Sequence, residues 1–335
     1  MARNLVICCD GTGNEFGTHN TNVVEVFSAL DKTDRTRQIA YYDPGVGTMS
    51  APGLQTPLAK LVSKGLGLAF GRGMTRNIED AYIYLMNNYQ PGDRIFIFGF
   101  SRGAYTVRAL TGMLHKMGLL EKGSDNLVPY AVRLYRKHPK TDEEWKIVRG
   151  FAKNFGRECK PHFIGVWDTV KSVGWFRRRV TLDFTFKNPD MKYGRHAVSI
   201  DEKRTQYRTN LWGHPNSDDV QEVWFSGVHS DVGGSYAERG LSDITLKWML
   251  EAARKYDLLI DPAALDALHP DPMGKLHNPL WPYWWLLGWK KRTIRKLPAG
   301  QPPAEVWIHE SVQERMNQSG GSYRPSIPPN ARFVG

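Results

Sequence analysis

Cysteine is scarce in this chain of 335 residues, with only Cys8, Cys9 and Cys159. Cys8 and Cys9 are neighbours in one apolar run and cannot easily bridge each other, which excludes a disulfide framework and fits a reducing compartment. Long apolar runs are lacking as well. None approaches the roughly 20 residues that a helix needs to cross a bilayer, so no membrane-spanning helix is expected. The chain passes from Met1 into a strand within a few residues, leaving no room for a signal peptide, so a cytoplasmic location is expected, with signal-less export left open. No internal repeat is visible, and no cofactor or metal is expected. Acidic charge is in deficit: 34 Asp and Glu stand against 45 Lys and Arg, a formal net charge of +11. Such an excess attracts anionic surfaces in general, without choosing among phospholipid headgroups, nucleic acid and acidic metabolites. The cations are scattered rather than gathered into a recognisable motif, so nucleic acid is not the expected partner.

What is present is enough apolar residue, 41%, for a large core, organised around one stretch. Arg94-Ile95-Phe96-Ile97-Phe98-Gly99 reads as a buried strand. It turns through Phe100-Ser101-Arg102-Gly103 into a helix with Tyr105, Ala109, Leu110, Met113 and Leu114 at helical spacing. Gly-x-Ser-x-Gly between a strand and a helix is the nucleophile-elbow pattern of α/β-hydrolases, which exposes the serine above the sheet edge with a helix N-terminus behind it. Further apolar strands are expected at Leu5–Cys9, Ile39–Tyr42, His162–Trp167 and Val220–Phe225. An amphipathic helix is expected over Arg76–Tyr89 and another over Ser242–Tyr256. Residues 121–158 read as helices with a basic outer face, 175–220 as polar and irregular, with a basic cluster at Arg177, Arg178 and Arg179. Strands alternating with helices predict an α/β fold: a mostly parallel central sheet, helices on both faces, and a helical or irregular insertion or lid. Residues 1–260 are assigned to the catalytic domain and 261–335 to an extension packed on it.

A serine hydroxyl attacks an acyl carbon only if a base takes its proton, and that base needs an acid to hold its tautomer. Ser101, Asp168 and His229 occur in the chain order of α/β-hydrolases, each after an apolar strand. Of ten histidines, only His229 is read as following a strand within a glycine-rich loop. Asp168 is favoured as the acid because Trp167 and Val166 would partly bury it. Asp231, two residues from His229, is read as bracing that loop, and Asp10 is a third candidate acid. The oxyanion formed on attack needs preorganised donors. The Arg102 N–H follows the nucleophile directly, and the Gly11-Thr12 stretch after the first strand is placed to supply a second. Asp10-Gly11-Thr12 does not read as a haloacid-dehalogenase motif, since Cys8 stands where that chemistry needs an aspartate. Glycines at 65, 67, 71 and 73 lack the spacing of a dinucleotide loop.

At these residues the chain resembles the DUF2235 family of α/β-hydrolase-like proteins, which includes the Tle1-like phospholipase effectors of type VI secretion. The matching stretches are Asp10-Gly11-Thr12, Pro44–Thr48, Gly99–Ala104, Gly165–Val170 and Trp224–Gly234. The resemblance implies a Ser101–Asp168–His229 triad and ester hydrolysis, with phospholipids as the substrate class. The expected enzyme is a serine esterase, a lipase or phospholipase. The alternative is a silent hydrolase fold that serves as a binding or scaffold module.

The most unusual composition is Trp281-Pro282-Tyr283-Trp284-Trp285-Leu286-Leu287-Gly288-Trp289, followed by Lys290, Lys291, Arg292, Arg295 and Lys296. Tryptophan and tyrosine favour the membrane–water interface and adjacent cations favour anionic headgroups. Residues 281–296 are read either as a lid or interfacial anchor or as a segment packed over the core or at a dimer interface. The proline-rich tail from Pro298 is read as an extended wrap over the surface.

Overall fold

β1 (Asn4–Cys9) is buried at every position, as a strand must be when helices cover both faces of its sheet. The computed structural model describes residues 2–11, 17–45, 68–170, 182–279, 288–295 and 304–335. After β1 come α1 (Asn22–Ala29), β2 (Gln38–Asp43), α2 (Leu68–Asn88), β3 (Arg94–Phe100) and α3 (Arg102–Met117). A short antiparallel pair, β4 (Leu119–Leu120) and β5 (Gly156–Arg157), brackets α4 (Val128–Tyr135) and α5 (Asp142–Phe155). Then follow β6 (Pro161–Trp167), β7 (Tyr193–Ser199), β8 (Val220–Phe225), α6 (His229–Gly233), α7 (Gly240–Lys255) and α8 (Pro262–Asp266). β9 (Val306–His309), α9 (Glu310–Gln318) and β10 (Ala331–Val334) complete the chain.

Eight strands form one sheet in the order β10-β9-β8-β7-β6-β3-β1-β2, and every pairing in it is parallel. Parallel pairing puts all the strand C-termini on one edge. The chain leaves β1 in one direction to make β2 and in the other to make β3, so a crevice opens beyond β1 and β3, where ligands of such sheets bind. Period-two alternation sends Leu5, Ile7, Cys9, Ile95 and Ile97 into a core with α2 to α5. Val6, Cys8, Phe96, Phe98 and Phe100 go to the opposite core with α1 and α7.

Two parts of the sheet differ from the sequence reading. β7 falls in the stretch read as irregular. Arg195 and His196 interrupt its apolar pattern, yet both are buried and hydrogen-bonded. The tail read as an extended wrap instead adds β9 and β10 to the sheet edge. There Ile308, Val312 and Tyr323 close a third cluster with Val198 and Trp224.

Candidate active site

Ser101 stands where β3 becomes α3, with φ 58° and ψ −118°, a backbone conformation that an L side chain rarely adopts. The glycines beside it act through size. A Cβ on Gly103 would lie 2.2 Å from the Cys9 carbonyl oxygen, and one on Gly99 would lie 2.8 Å from the Ala104 nitrogen. Their smallness lets the start of α3 close against the end of β1, and the strained torsion falls on the serine itself. The Ser101 N–H donates to the Trp167 carbonyl at 3.0 Å, tying the turn to β6.

Asp168 follows β6, also at positive φ (39°), and its N–H donates to the Ala197 carbonyl of β7 at 2.7 Å. Its side chain is fully buried. Oδ1 accepts the Ser199 N–H at 3.1 Å, and Oδ2 accepts His229 Nδ1–H at 2.5 Å. His229 opens α6, and its Nε2 lies 2.8 Å from Ser101 Oγ. An ionised carboxylate can only accept, so the Nδ1 proton points at Asp168 and Nε2 is left as the acceptor for the serine hydroxyl. Phe100 and Tyr207 flank the imidazole at ring-centroid distances of 4.5 and 4.8 Å. Glu202 Oε2 accepts the His229 backbone N–H at 3.3 Å, and Arg204 grips both Glu202 oxygens at 2.9 and 2.7 Å.

Burial lowers the His229 pKa below its ordinary 6.5, against the pull of Asp168, and keeps the ring neutral near neutral pH. Burial alone would raise Asp168. The Arg292 guanidinium and the hydrogen bond from His229 reverse that and hold the carboxyl well below the usual carboxylate range.

The other candidate residues fall nearby with different partners. The Asp10 carboxylate accepts from the Gly11 N–H at 2.6 Å, the Thr21 hydroxyl at 2.5 Å and the Tyr42 hydroxyl at 3.1 Å. Asp10 therefore braces the loop after β1 against α1 and β2, and the Gly11 N–H points at it. Thr12 lies outside the described residues. The Arg102 N–H is the first of α3, at the positive end of the helix. Asp231 accepts the Val228 N–H at 3.0 Å and the His277 Nδ1–H at 2.6 Å, so it braces the start of α6 and does not face the His229 ring. Among the described residues, no group of three or more His, Cys, Asp or Glu side chains could hold a metal. No helix among them is long and apolar enough to cross a membrane.

A family model described as "T6SS, Phospholipase effector Tle1-like, catalytic domain" matches residues 3–252, and that span contains Ser101, Asp168 and His229. The chain belongs to this family. A relative of this Tle1-like domain is the uncharacterized protein YEL023C of Saccharomyces cerevisiae, 34% identical over 219 residues, covering 62% of this chain and 32% of that protein. An uncharacterized protein from Pseudomonas aeruginosa, solved by crystallography, is 20% identical with a TM-score of 0.46, over 79% of this chain and 47% of its own. A Tle1 effector, solved bound to the VgrG spike of the type VI secretion system, is 19% identical with a TM-score of 0.41, over 71% of this chain and 52% of its own. The Tle1-like domain thus spans about a third of the yeast protein and about half of each solved chain.

Sequence reasoning missed two features around the Tle1-like site. Arg292 was read as one of several cations for headgroups. In the structure its side chain is only 9% exposed and turns inward to Asp168, whereas Lys290, Lys291 and Arg295 are exposed. The aromatic run it follows lies outside the described residues at 280–287, as does the basic cluster at 177–179. The second is His196 on β7, whose Nδ1 lies 2.8 Å from Glu222. His309 also ends a strand, β9, but caps α9 directly rather than lying in a glycine-rich loop.

Proposed function

We propose that this Tle1-like domain hydrolyses the carboxylic esters of phospholipids through an acyl-enzyme on Ser101. The supporting observation is the His229 ring, held between Asp168 Oδ2 at 2.5 Å and Ser101 Oγ at 2.8 Å. Family membership supports the substrate class.

In this reading, Oγ attacks the acyl carbon as His229 Nε2 takes its proton. Asp168 stays ionised and stabilises the imidazolium. The tetrahedral oxyanion is met by the Arg102 N–H at the positive end of α3, and by a second donor from the loop containing Gly11 and Thr12. The intermediate collapses to the acyl-serine, and the departing alcohol takes the proton from His229. Water, deprotonated by the same nitrogen, then attacks the acyl group, releasing the fatty acid and restoring Ser101. Exposed Lys290, Lys291 and Arg295, beside the aromatic run, would favour an anionic lipid surface.

The test is fatty-acid release from phospholipid vesicles, with p-nitrophenyl esters of rising chain length run alongside. Wild type should hydrolyse both, and Ser101→Ala should lose about 10³-fold or more on each. Turnover of short soluble esters with intact vesicles would sink the lipid half of the proposal and leave ester hydrolysis standing.

A further inference from the structure

Asp168 is an anion with its side chain wholly out of water, and the group that neutralises it comes from far along the chain. Arg292 lies well beyond residue 252, where the family match ends. Its Nη1 donates to Asp168 Oδ1 at 2.6 Å and its Nη2 to Oδ2 at 3.0 Å, a two-pronged contact. Nη1 also reaches the Ser199 hydroxyl at 2.6 Å and carbonyl at 3.0 Å, on β7. Nη2 reaches the Tyr207 carbonyl at 2.5 Å, in the segment whose ring packs on His229. A planar guanidinium can meet both carboxylate oxygens and two neighbouring segments at once, and a lysine ammonium cannot.

We propose that Arg292 is a positioning residue for the Ser101 site: it fixes the plane of the Asp168 carboxylate so that Oδ2 receives the His229 Nδ1–H. The segment 288–295 is then part of the site, and residues 3–252 alone do not complete it. This inference rests on the reading of Ser101 as the nucleophile. A carboxylate held only by the Ser199 N–H and His229 could rotate about its Cβ–Cγ bond. Oδ2 is shared between His229 and Nη2, so the guanidinium plane sets where that oxygen lies.

The arrangement carries a signature that simple space-filling lacks. Asp168 and Glu202 face His229 and favour its protonated form, while the Arg292 cation opposes it. Arg204 is paired with Glu202, the Tyr207 ring and the Ser101 hydroxyl contact the imidazole, and His196 interacts electrostatically with Asp168. Arg102, half-buried at the start of α3, is a further cation near Tyr207. A neutral residue at 292 therefore lets His229 bind its proton more readily. The acid limb of kcat/KM should move to higher pH.

The experiment compares Arg292→Gln and Arg292→Lys with wild type in the full chain, using a soluble p-nitrophenyl ester and pH profiles, with thermal unfolding as the control for folding. Arg292→Gln should lower kcat by about tenfold or more, with KM within about twofold, and should shift the acid limb upward. Arg292→Lys should lower kcat less and leave the limb in place. A Gln variant that folds and gives the wild-type profile, or loses rate with the limb unmoved, overturns the proposal. If Arg292→Gln does not fold, the lysine variant decides, and a kcat within about twofold of wild type overturns it. Fluorophosphonate labelling of wild-type Ser101 separates the two levels. If wild type labels and the variants do not differ from it, only the Arg292 inference fails; if wild type does not label, the nucleophile reading fails as well.

Discussion

Two buried histidine–carboxylate pairs belong to this sheet, and their surroundings differ. His229 Nδ1 meets Asp168 at 2.5 Å and His196 Nδ1 meets Glu222 at 2.8 Å. In both, burial lowers the imidazole pKa against the pull of the carboxylate. The difference is at the other nitrogen. His229 Nε2 faces Ser101 Oγ, which can give up a proton and attack, whereas His196 Nε2 accepts the Thr169 backbone N–H at 3.2 Å. His196 sits within β7, and Glu222 also accepts the Trp212 N–H at 2.7 Å, so that pair joins β7, β8 and the loops after β6 and β7. A histidine held by a carboxylate is thus not a reactive site in itself. What matters is whether its free nitrogen meets a nucleophile at a strand end.

The comparison can be broken by exchanging the expected losses. His229→Gln should lower kcat by about 10⁴-fold or more while leaving the unfolding temperature close to wild type. His196→Leu should do the reverse, removing the imidazole from buried Glu222 at a stability loss of about 3–5 kcal/mol, with kcat of the folded protein within a few-fold. Ester assays and urea melts on both variants check this. An equal loss of rate in the two would erase the distinction.

pH sharpens the same contrast with a smaller effect. A histidine whose folded pKa lies below its unfolded value of 6.5 stabilises the fold fully above that value, because the unfolded chain takes up the proton first as pH falls. Stability should therefore decline as pH drops below 6.5 toward the folded values, and His196→Leu should flatten part of that decline. The acid limb of wild-type kcat/KM should also lie below 6.5, since His229 must be neutral to act.

How much of this was legible depended on how local the signal was. The elbow could be read because β3 is apolar from Ile95 to Phe98 and Gly99 and Gly103 stand on either side of Ser101, and β1 is a similar apolar run. β7 was hidden because Arg195 and His196 look like surface residues until Asp219 and Glu222, far from them in sequence, supply their partners. β9 and β10 are four residues each and lie in a proline-rich tail. The pattern says nothing of what Gly99 and Gly103 each do. In the structure their role is close approach, and Ser101 itself carries the positive φ. Arg292 left no trace in any spacing, because a contact across 124 residues has no local period.

The central claim is that Ser101 is a nucleophile activated by His229. It is tested most directly by treating the folded protein with a fluorophosphonate and locating the adduct by mass spectrometry. One adduct on Ser101 is expected, absent from Ser101→Ala and strongly slowed in His229→Gln. No adduct on the native protein, or one that persists in Ser101→Ala, would contradict the account.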